Sequence, residues 1–356
     1  CYAIADETGG SDQPDSLSWT DPTTGITTDV GAITYAGSTI EADHVETAVW
    51  SLDGTTLYTT DRENTIGSGS DLFGTLNIST AVFTPLQGSV CDSGTAADDG
   101  NRVACSAQPL EGSLGNFTVV DIDGMAFDPI SGDLFAVDRN ESTTNGVLRL
   151  DLLLKIDPST GLHVEDAFGT GVDYVVLDTN TLLGNDDIDD IAFDPGCGLF
   201  YGTANVTVAT KNVYNDHLVL INPYDGSLTD VGPLFHDVDG DGIFDAGELQ
   251  LNDVEGLTFA ADGILYAGTA DGDDLAGTGG SGNPESLWTV DPATGAASLV
   301  GSLVPTGENY ADYESLACRG GTSELTPPTD SNEVSTAVQG FIGDTVWVDM
   351  NGDGVQ

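Results

Sequence analysis

The sequence predicts an all-β fold, a five-bladed β-propeller, and three observations carry that prediction. A cassette recurs at a fixed interval, four strand-like segments follow each copy, and the two ends of the chain complete one another. The cassette reads DIDGMAFDP at 121–129, DIDDIAFDP at 187–195 and DVEGLTFAA at 253–261, so that Asp123, Asp189 and Glu255 are spaced by 66 residues both times. Two weaker copies, HVETAVW at 44–50 and DYESLAC at 312–318, bring the number to five. A long period carried by strands marks an architecture in which each repeat is one supersecondary unit. Antiparallel four-strand sheets repeated radially form a propeller.

The elements of a unit follow in order. After the inner-strand cassette at 187–195 come a tight turn, PGCG, and a second strand at 199–205, LFYGTAN. A loop leads to a third strand, HLVLINP at 217–223, then the turn YDG and a fourth strand, SLTDVG at 227–232. The unit over 263–301 repeats the pattern as GILYAGTA, SLWTVDP, ATG and AASLVG. Alternating apolar residues, β-branched and aromatic content, and Gly, Asp, Asn and Pro punctuation specify short strands. Residues 1–31 supply strands two to four of a unit without its first strand, whereas 312–318 supply a first strand with nothing after it. Pairing them closes the ring, with first strands near 44, 121, 187, 253 and 312 and a propeller over 1–318. The unit at 44–88 is the most degenerate, and 89–117 has room for an additional sheet.

Composition sets the setting. The 46 glycines among 356 residues suit a turn-rich β protein, and 39% hydrophobic content excludes general disorder. Seven Lys and Arg against 59 Asp and Glu give a net charge of −52. Such a surface repels nucleic acid and anionic membranes, which need a basic patch, and it favours bound cations. Adaptation to a high-salt habitat is the plainer source of the acidity. No apolar run reaches the roughly 20 residues of a membrane-spanning helix. No signal peptide is visible, and without an initiator Met the chain reads as processed.

Five cysteines add constraints. Cys318 ends the first strand of the closing blade and Cys1 begins its second, which places them opposite each other for a disulfide. The competing reading is a lipidated N-terminal Cys1; either places the protein outside the cytoplasm, at the cell surface or in the medium. Cys91 and Cys105 flank DSGTAADDGNRVA and are expected to staple it, which leaves Cys197 single. Glycosylation sequons at Asn77, Asn116, Asn140 and Asn205 are compatible with that setting and also arise by chance.

Loop lengths predict two unlike faces. Connections between strands one and two, and three and four, are tight: DPISGD, DPGCG, AADG, DPTTG, DPSTG, NPYDG and DPATG. The others, at 61–70, 139–147, 204–216 and 271–285 with the inter-blade segments 89–117 and 236–252, are long. They are expected together on one elaborated face, where binding residues on a rigid scaffold usually sit.

One inter-blade segment carries the sharpest chemical motif. Residues 237–248, DVDGDGIFDAGE, place Asp237, Asp239, Asp241, Asp245 and Glu248 at positions 1, 3, 5, 9 and 12, with Gly242 at position 6 and the carbonyl of Ile243 at position 7. Ca²⁺ takes six to eight hard oxygens, needs Gly at the sharp turn and is closed by a bidentate Glu. A solvated acidic turn is the plain alternative. The tight turn at Thr294 is expected to be independent of this ion. A truncated sibling, Asp349, Asn351 and Asp353 with Gly354, ends the chain.

Just before it, GFIGDTVWVD at 340–349 resembles the first strand of the B-type repeat of serine-aspartate surface proteins, of the form GD-x-VW-x-D-x-N-x-DG-x-Q. The resemblance implies an immunoglobulin-like calcium-binding module that starts over 340–356 and continues past Gln356, after a linker at 319–339 rich in Thr, Pro, Ser and Glu. The propeller body is similar to secreted bacterial and archaeal propellers with blades of the form GLAFDP…GxLY…LxxIDPxTGxxTxVG, a likeness that speaks to fold and surface context.

Five equivalent acids, Glu46, Asp123, Asp189, Glu255 and Glu314, begin the inner strands, and two residues earlier stand His44, Asp121, Asp187, Asp253 and Asp312. The ring either holds a cation at the channel mouth or accepts backbone hydrogen bonds from neighbouring blades. From the calcium loops, the acidity and the modular C-terminus we expect a non-enzymatic extracellular structural or adhesion protein. On that reading it is a Ca²⁺-stabilised surface module that self-associates, as in a filament or sheath, or joins other matrix components. The alternative is a calcium-dependent hydrolase of glycosidase or nucleotidase type, with paired carboxylates at the mouth as acid and base and His44 as proton shuttle. The equivalence of the ring acids, which distinguishes no acid–base pair, and the want of a Ser-His-Asp or Cys-His set weigh against an enzyme. His163 and His217 in strand positions, and Trp19, Trp50 and Trp288, read as structural.

Overall fold

A computed structural model describes residues 1–7, 15–39, 41–42, 44–62, 71–86, 112–113, 119, 122–139, 151–183, 187–208, 213–245, 247–251, 253–260, 262–270, 285–306 and 310–319. The chain divides into two units, Cys1–Ser323 and Glu324–Gln356, and every described residue lies in the first. That unit holds five sheets, each with four antiparallel strands at its heart. Blade one joins Tyr310–Ala317 to Tyr2–Glu7, Asp15–Asp21 and Ile26–Ala32. Blade two is Thr47–Trp50, Leu57–Arg62, Asp71–Asn77 and Val82–Pro85, and blade three is Ile122–Phe127, Leu134–Asp138, Asp151–Ile156 and Tyr174–Leu177. Blade four runs Ile188–Phe193, Phe200–Val208, Val213–Ile221 and Leu228–Pro233, and blade five Val254–Phe259, Leu265–Thr269, Ser286–Val290 and Ala296–Ser302.

The apolar alternation of each strand builds a core between each pair of neighbouring blades. Leu17 and Ile4 of blade one pack with Trp50 and Phe83 of blade two. Phe73 meets Met125 and Leu154, Phe135 meets Phe193 and Phe200, Leu218 meets Leu257 and Trp288, and Leu287 meets Ala3 and Leu316. Five sheets with five cores between them form a closed five-bladed propeller, as the repeats predict. The ring closes in the expected register: Tyr2 pairs with Ala317, and Cys1 and Cys318 form a disulfide. That bond engages the sulfur that a lipid on Cys1 would need. Across the seam, Ala48 N–H donates to Ser315 Oγ (2.8 Å) and Trp50 Nε1–H to the Ala317 carbonyl (3.3 Å).

Two recurring devices lock the blades together. An Asp in the third strand, at its start in blades one and three and three residues in for blade four, accepts the backbone N–H that opens the next blade: Asp15 from Val45 (2.5 Å), Asp151 from Ile188 (2.6 Å) and Asp216 from Val254 (2.6 Å). A buried N–H left without a partner costs about 1–3 kcal/mol, so each Asp satisfies a group that the sheet itself cannot. The glycine ending a DPxTG-type turn has positive φ and backs onto the previous blade. A Cβ on Gly295 would overlap the Pro233 carbonyl oxygen, and one on Gly25 or Gly226 would crowd Val300 or Val176.

Three expectations about the connections need correction. In blade three the DPSTG turn does not lead straight into the outer strand. His163 and Val164 pair with Ile156 and Lys155, and the chain then makes an excursion over 165–173, through the positive φ of Asp166, before pairing resumes at Tyr174. The supposed loop at 204–216 is largely a strand hairpin, paired from Asn205 with Asp216 out to Val208 with Val213, because β-branched residues extend the ladder. The segment 236–252 does not follow the 2–3 loops. Phe235 and His236 pair in parallel with Ala296 and Ala297 on the outer edge of blade five, which sets the acidic loop beside the tight turn 291–295.

Candidate functional site

The inner-strand acids are not equivalent. Arg139, just past the second strand of blade three, reaches into them: its Nε lies 2.8 Å from Asp123 Oδ2 and 3.1 Å from Asp187 Oδ2, and its Nη2 3.4 Å from Asp189 Oδ1. The side chains of Asp123 and Asp189 are 8% and 0% exposed, whereas those of Asp187 and Arg139 are 28% and 26% exposed and form the part a ligand can reach. Burial disfavours the guanidinium charge, but Asp123, Asp189, Asp187 and Glu255 outweigh it and raise the pKa of Arg139. Burial pushes the Asp189 carboxyl well above the usual carboxylate range; the charges of Glu255 and Asp187 add to this and Arg139 opposes it. Among the described side chains, one cation stands among four carboxylates, which leaves them with surplus negative charge that a proton on the most buried acid relieves. Glu255 and Glu314 are half-buried on the inner strands of blades five and one, and Glu46 is half-buried just before the inner strand of blade two.

Arg139 was not singled out by sequence reasoning, although a signal existed. The chain has only seven basic residues, and the pairs Asp61-Arg62 and Asp138-Arg139 stand at equivalent places at the ends of second strands. The other expected residues fall elsewhere. His217 Nδ1 lies 3.0 Å from Asp230 Oδ1, and His163 is buried near Asp173, both away from the inner strands. Cys197 is free and exposed, its thiol 3.1 Å from Asp194 Oδ2. Cys91, Cys105, Asp121, Asp349, Asn351 and Asp353 lie outside the described residues.

The acidic loop draws its carboxylates together. Carboxylate oxygens of Asp237, Asp239 and Glu248 lie within 4.8 Å of one another, as do those of Asp239, Asp241 and Asp245. Backbone N–H groups of Gly240 and Gly242 donate to the two oxygens of Asp237 (2.7 and 3.0 Å), and those of Val238 and Asp245 to Glu248 (2.9 and 3.2 Å). Gly240 and Gly242 hold φ of 78° and 75°, which lets the chain wrap. Phe244 packs on Phe235 with ring centroids 5.3 Å apart and planes tilted by 54°, and a Cβ on Gly242 would stand 4.0 Å from Thr294. The turn at Thr294 is therefore a neighbour of this loop and not independent of it.

No family model matches the chain, and no curated protein matches it. Among solved structures it is similar to an endo-1,4-β-xylanase from Bacteroides thetaiotaomicron (9% identity, 85% of this chain and 91% of that one, TM-score 0.47). A putative 6-phosphogluconolactonase from Bacteroides fragilis gives 11% identity over 88% and 96% of the two chains, TM-score 0.41. An endo-1,5-α-L-arabinanase from Thermotoga petrophila gives 12% over 87% and 76%, TM-score 0.43. Likeness at this level speaks to the fold alone. The expectation of a non-enzymatic protein is nonetheless corrected at the site itself, because the equivalence of ring acids on which that expectation leaned is broken by Arg139.

Proposed function

We propose that the chain is a hydrolase of neutral glycans that works at the mouth of the propeller. The observation that supports it most is the asymmetric cluster of Arg139 with Asp123, Asp187 and Asp189, of which only Asp187 and Arg139 are substantially open. Glycoside hydrolysis needs two carboxyl groups in unlike surroundings, one to protonate the leaving oxygen and one to activate water or attack. Asp187, ion-paired to Arg139, takes the part of base or nucleophile. Glu255, half-buried on the neighbouring inner strand, takes the part of acid, and Asp189 lies behind them as a buried proton store. An uncharged sugar suits this site, because the surplus carboxylates repel a phosphorylated or otherwise anionic substrate.

We further propose that 237–248 holds Ca²⁺ through Asp237, Asp239, Asp241, Asp245, Glu248 and the Ile243 carbonyl, a donor set of hard oxygens already gathered in the chain. Bound there, the ion supplies positive charge that relieves mutual repulsion in the loop and so stiffens the edge of blade five. The Cys1–Cys318 disulfide supports an extracellular setting.

The test is release of reducing ends from a panel of neutral and anionic polysaccharides. Asp187→Asn and Glu255→Gln are each expected to lower turnover of a neutral glycan by more than about 100-fold with unchanged melting temperature. Turnover retained in both variants, or absent on every neutral glycan, removes this reading.

A further inference from the structure

Blade two departs from its sisters at the end remote from the acidic mouth. Glu46 stands before the start of its inner strand and Trp50 at its finish, about 13 Å apart at the usual strand rise. The 3–4 turns of blades one, three and five open with Asp21-Pro22, Asp157-Pro158 and Asp291-Pro292. Blade four has Asn222-Pro223 and blade two Asn77-Ile78, with Asn222 Oδ1 accepting the Tyr224 N–H (3.0 Å) and Asn77 Oδ1 the Ser79 N–H (2.9 Å) as the aspartates do in theirs. The turn geometry is kept while the charge is lost.

A cavity of about 510 Å³ opens between this turn and the 51–56 turn, and every residue that lines it is uncharged. In a chain with 59 acidic residues, such a lining is a local exception. It offers the hydroxyls of Thr55, Thr56, Thr75 and Thr84, the amide of Asn77, and Trp50. Thr75 and Thr84 are cross-strand partners, so their side chains share a face. Among the described side chains none engages the hydroxyls of Thr56, Thr75 or Thr84 (Asp53 beside them is tied to Ser51 and Thr55 at 2.7 Å). Trp50 is held in place by its bond to the Ala317 carbonyl and by Arg319 over its ring at 5.1 Å.

We infer that this cavity is a second binding site, for a neutral, hydroxyl-rich ligand of the oligosaccharide class. Sites for small polar molecules combine concavity with a few placed donors and acceptors and some apolar wall. Here the donors and acceptors are hydroxyls and one amide, which can give and accept hydrogen bonds with sugar hydroxyls and offer no charge for an ionic ligand. The site needs no residue of the mouth, so it stands whether or not the mouth hydrolyses glycans.

The test uses the full chain, produced without N-glycosylation because Asn77-Ile78-Ser79 is a sequon at the rim, and carrying Asp187→Asn so that no probe is consumed. Saturation-transfer NMR and calorimetry with cellohexaose, xylohexaose, maltohexaose and mannohexaose read the binding. At least one is expected to bind. Thr84→Glu, on the exposed outer strand, is expected to weaken it at least tenfold, and Thr75→Val several-fold, with melting temperature unchanged. Glu255→Gln should leave this affinity intact. Absence of binding by all four probes overturns the inference, as does binding that survives Thr84→Glu and Thr75→Val.

Discussion

Arg139 decides the character of the propeller mouth. Removing it takes away an ion pair from each of buried Asp123 and Asp189, and breaking a buried ion pair from one side costs about 3–5 kcal/mol. The direction with pH follows from Asp189. Its folded pKa is raised, so its contribution to stability is fully present below the ordinary carboxylate range, near about 4, and is lost as pH rises through the folded value. Thermal melts from pH 4 to pH 8 should therefore show a shallower decline for Asp189→Asn than for wild type. Arg139→Gln should lose more stability at pH 8 than at pH 4.5. Parallel curves for wild type and Asp189→Asn would show that the buried acid does not titrate in this window. In the sequence the acids of this cluster were legible because they repeat. Their partner was harder to see, because its one echo, Asp61-Arg62 at the end of the second strand of blade two, is only two residues long.

At the scale of elements, the repeats exposed the inner strands and tight turns, where local residue patterns dictate structure. The interruption of the outer strand in blade three was hidden, since its DPSTG turn matches its sisters and the excursion is closed by contacts made later in the chain. One of these is the Asp166 N–H donating to Asp173 at 2.7 Å. The docking of the acidic loop on blade five was equally hidden, for it rests on a parallel two-residue pairing between segments 61 residues apart, Phe235 with Ala296. That docking shapes the expected response to metal. Ca²⁺ at 100-fold excess over Kd should add about 2.7 kcal/mol, and chelator should remove it. Asp241→Ala should abolish the difference in melting temperature with and without chelator, and Thr294→Arg, which crowds Gly242, should reduce it. A chelator response unchanged in Asp241→Ala would place the stabilising ion elsewhere.

For the whole molecule, the decisive link is Cys1–Cys318, which joins residues 317 apart in sequence. In the chain-entropy picture a loop of this length contributes about 5 kcal/mol. Reductant, or Cys1→Ser, should lower the melting temperature by roughly 7 °C. An unchanged melting temperature on reduction would mean that strand pairing and packing close the ring unaided. The closing pair was legible because the chain ends are complementary fragments of one blade and both cysteines fall at the same level of the hairpin. The Asp latches between blades were not, because a lone Asp ahead of a strand reads as a turn residue.

Blade one takes its inner strand, Tyr310–Ala317, from the far end of the propeller sequence. As the chain leaves the ribosome, Tyr2–Glu7 emerges with its inner edge bare and stays so until some 300 residues more have followed. Four blades can stack in order of synthesis, but the fifth cannot be finished by any local event. The open edge is a ready template for strand pairing during that interval. A second nascent copy, presenting its own 310–317 first, is the natural competitor, so slow emergence and dilution favour the closed ring over strand-exchanged chains.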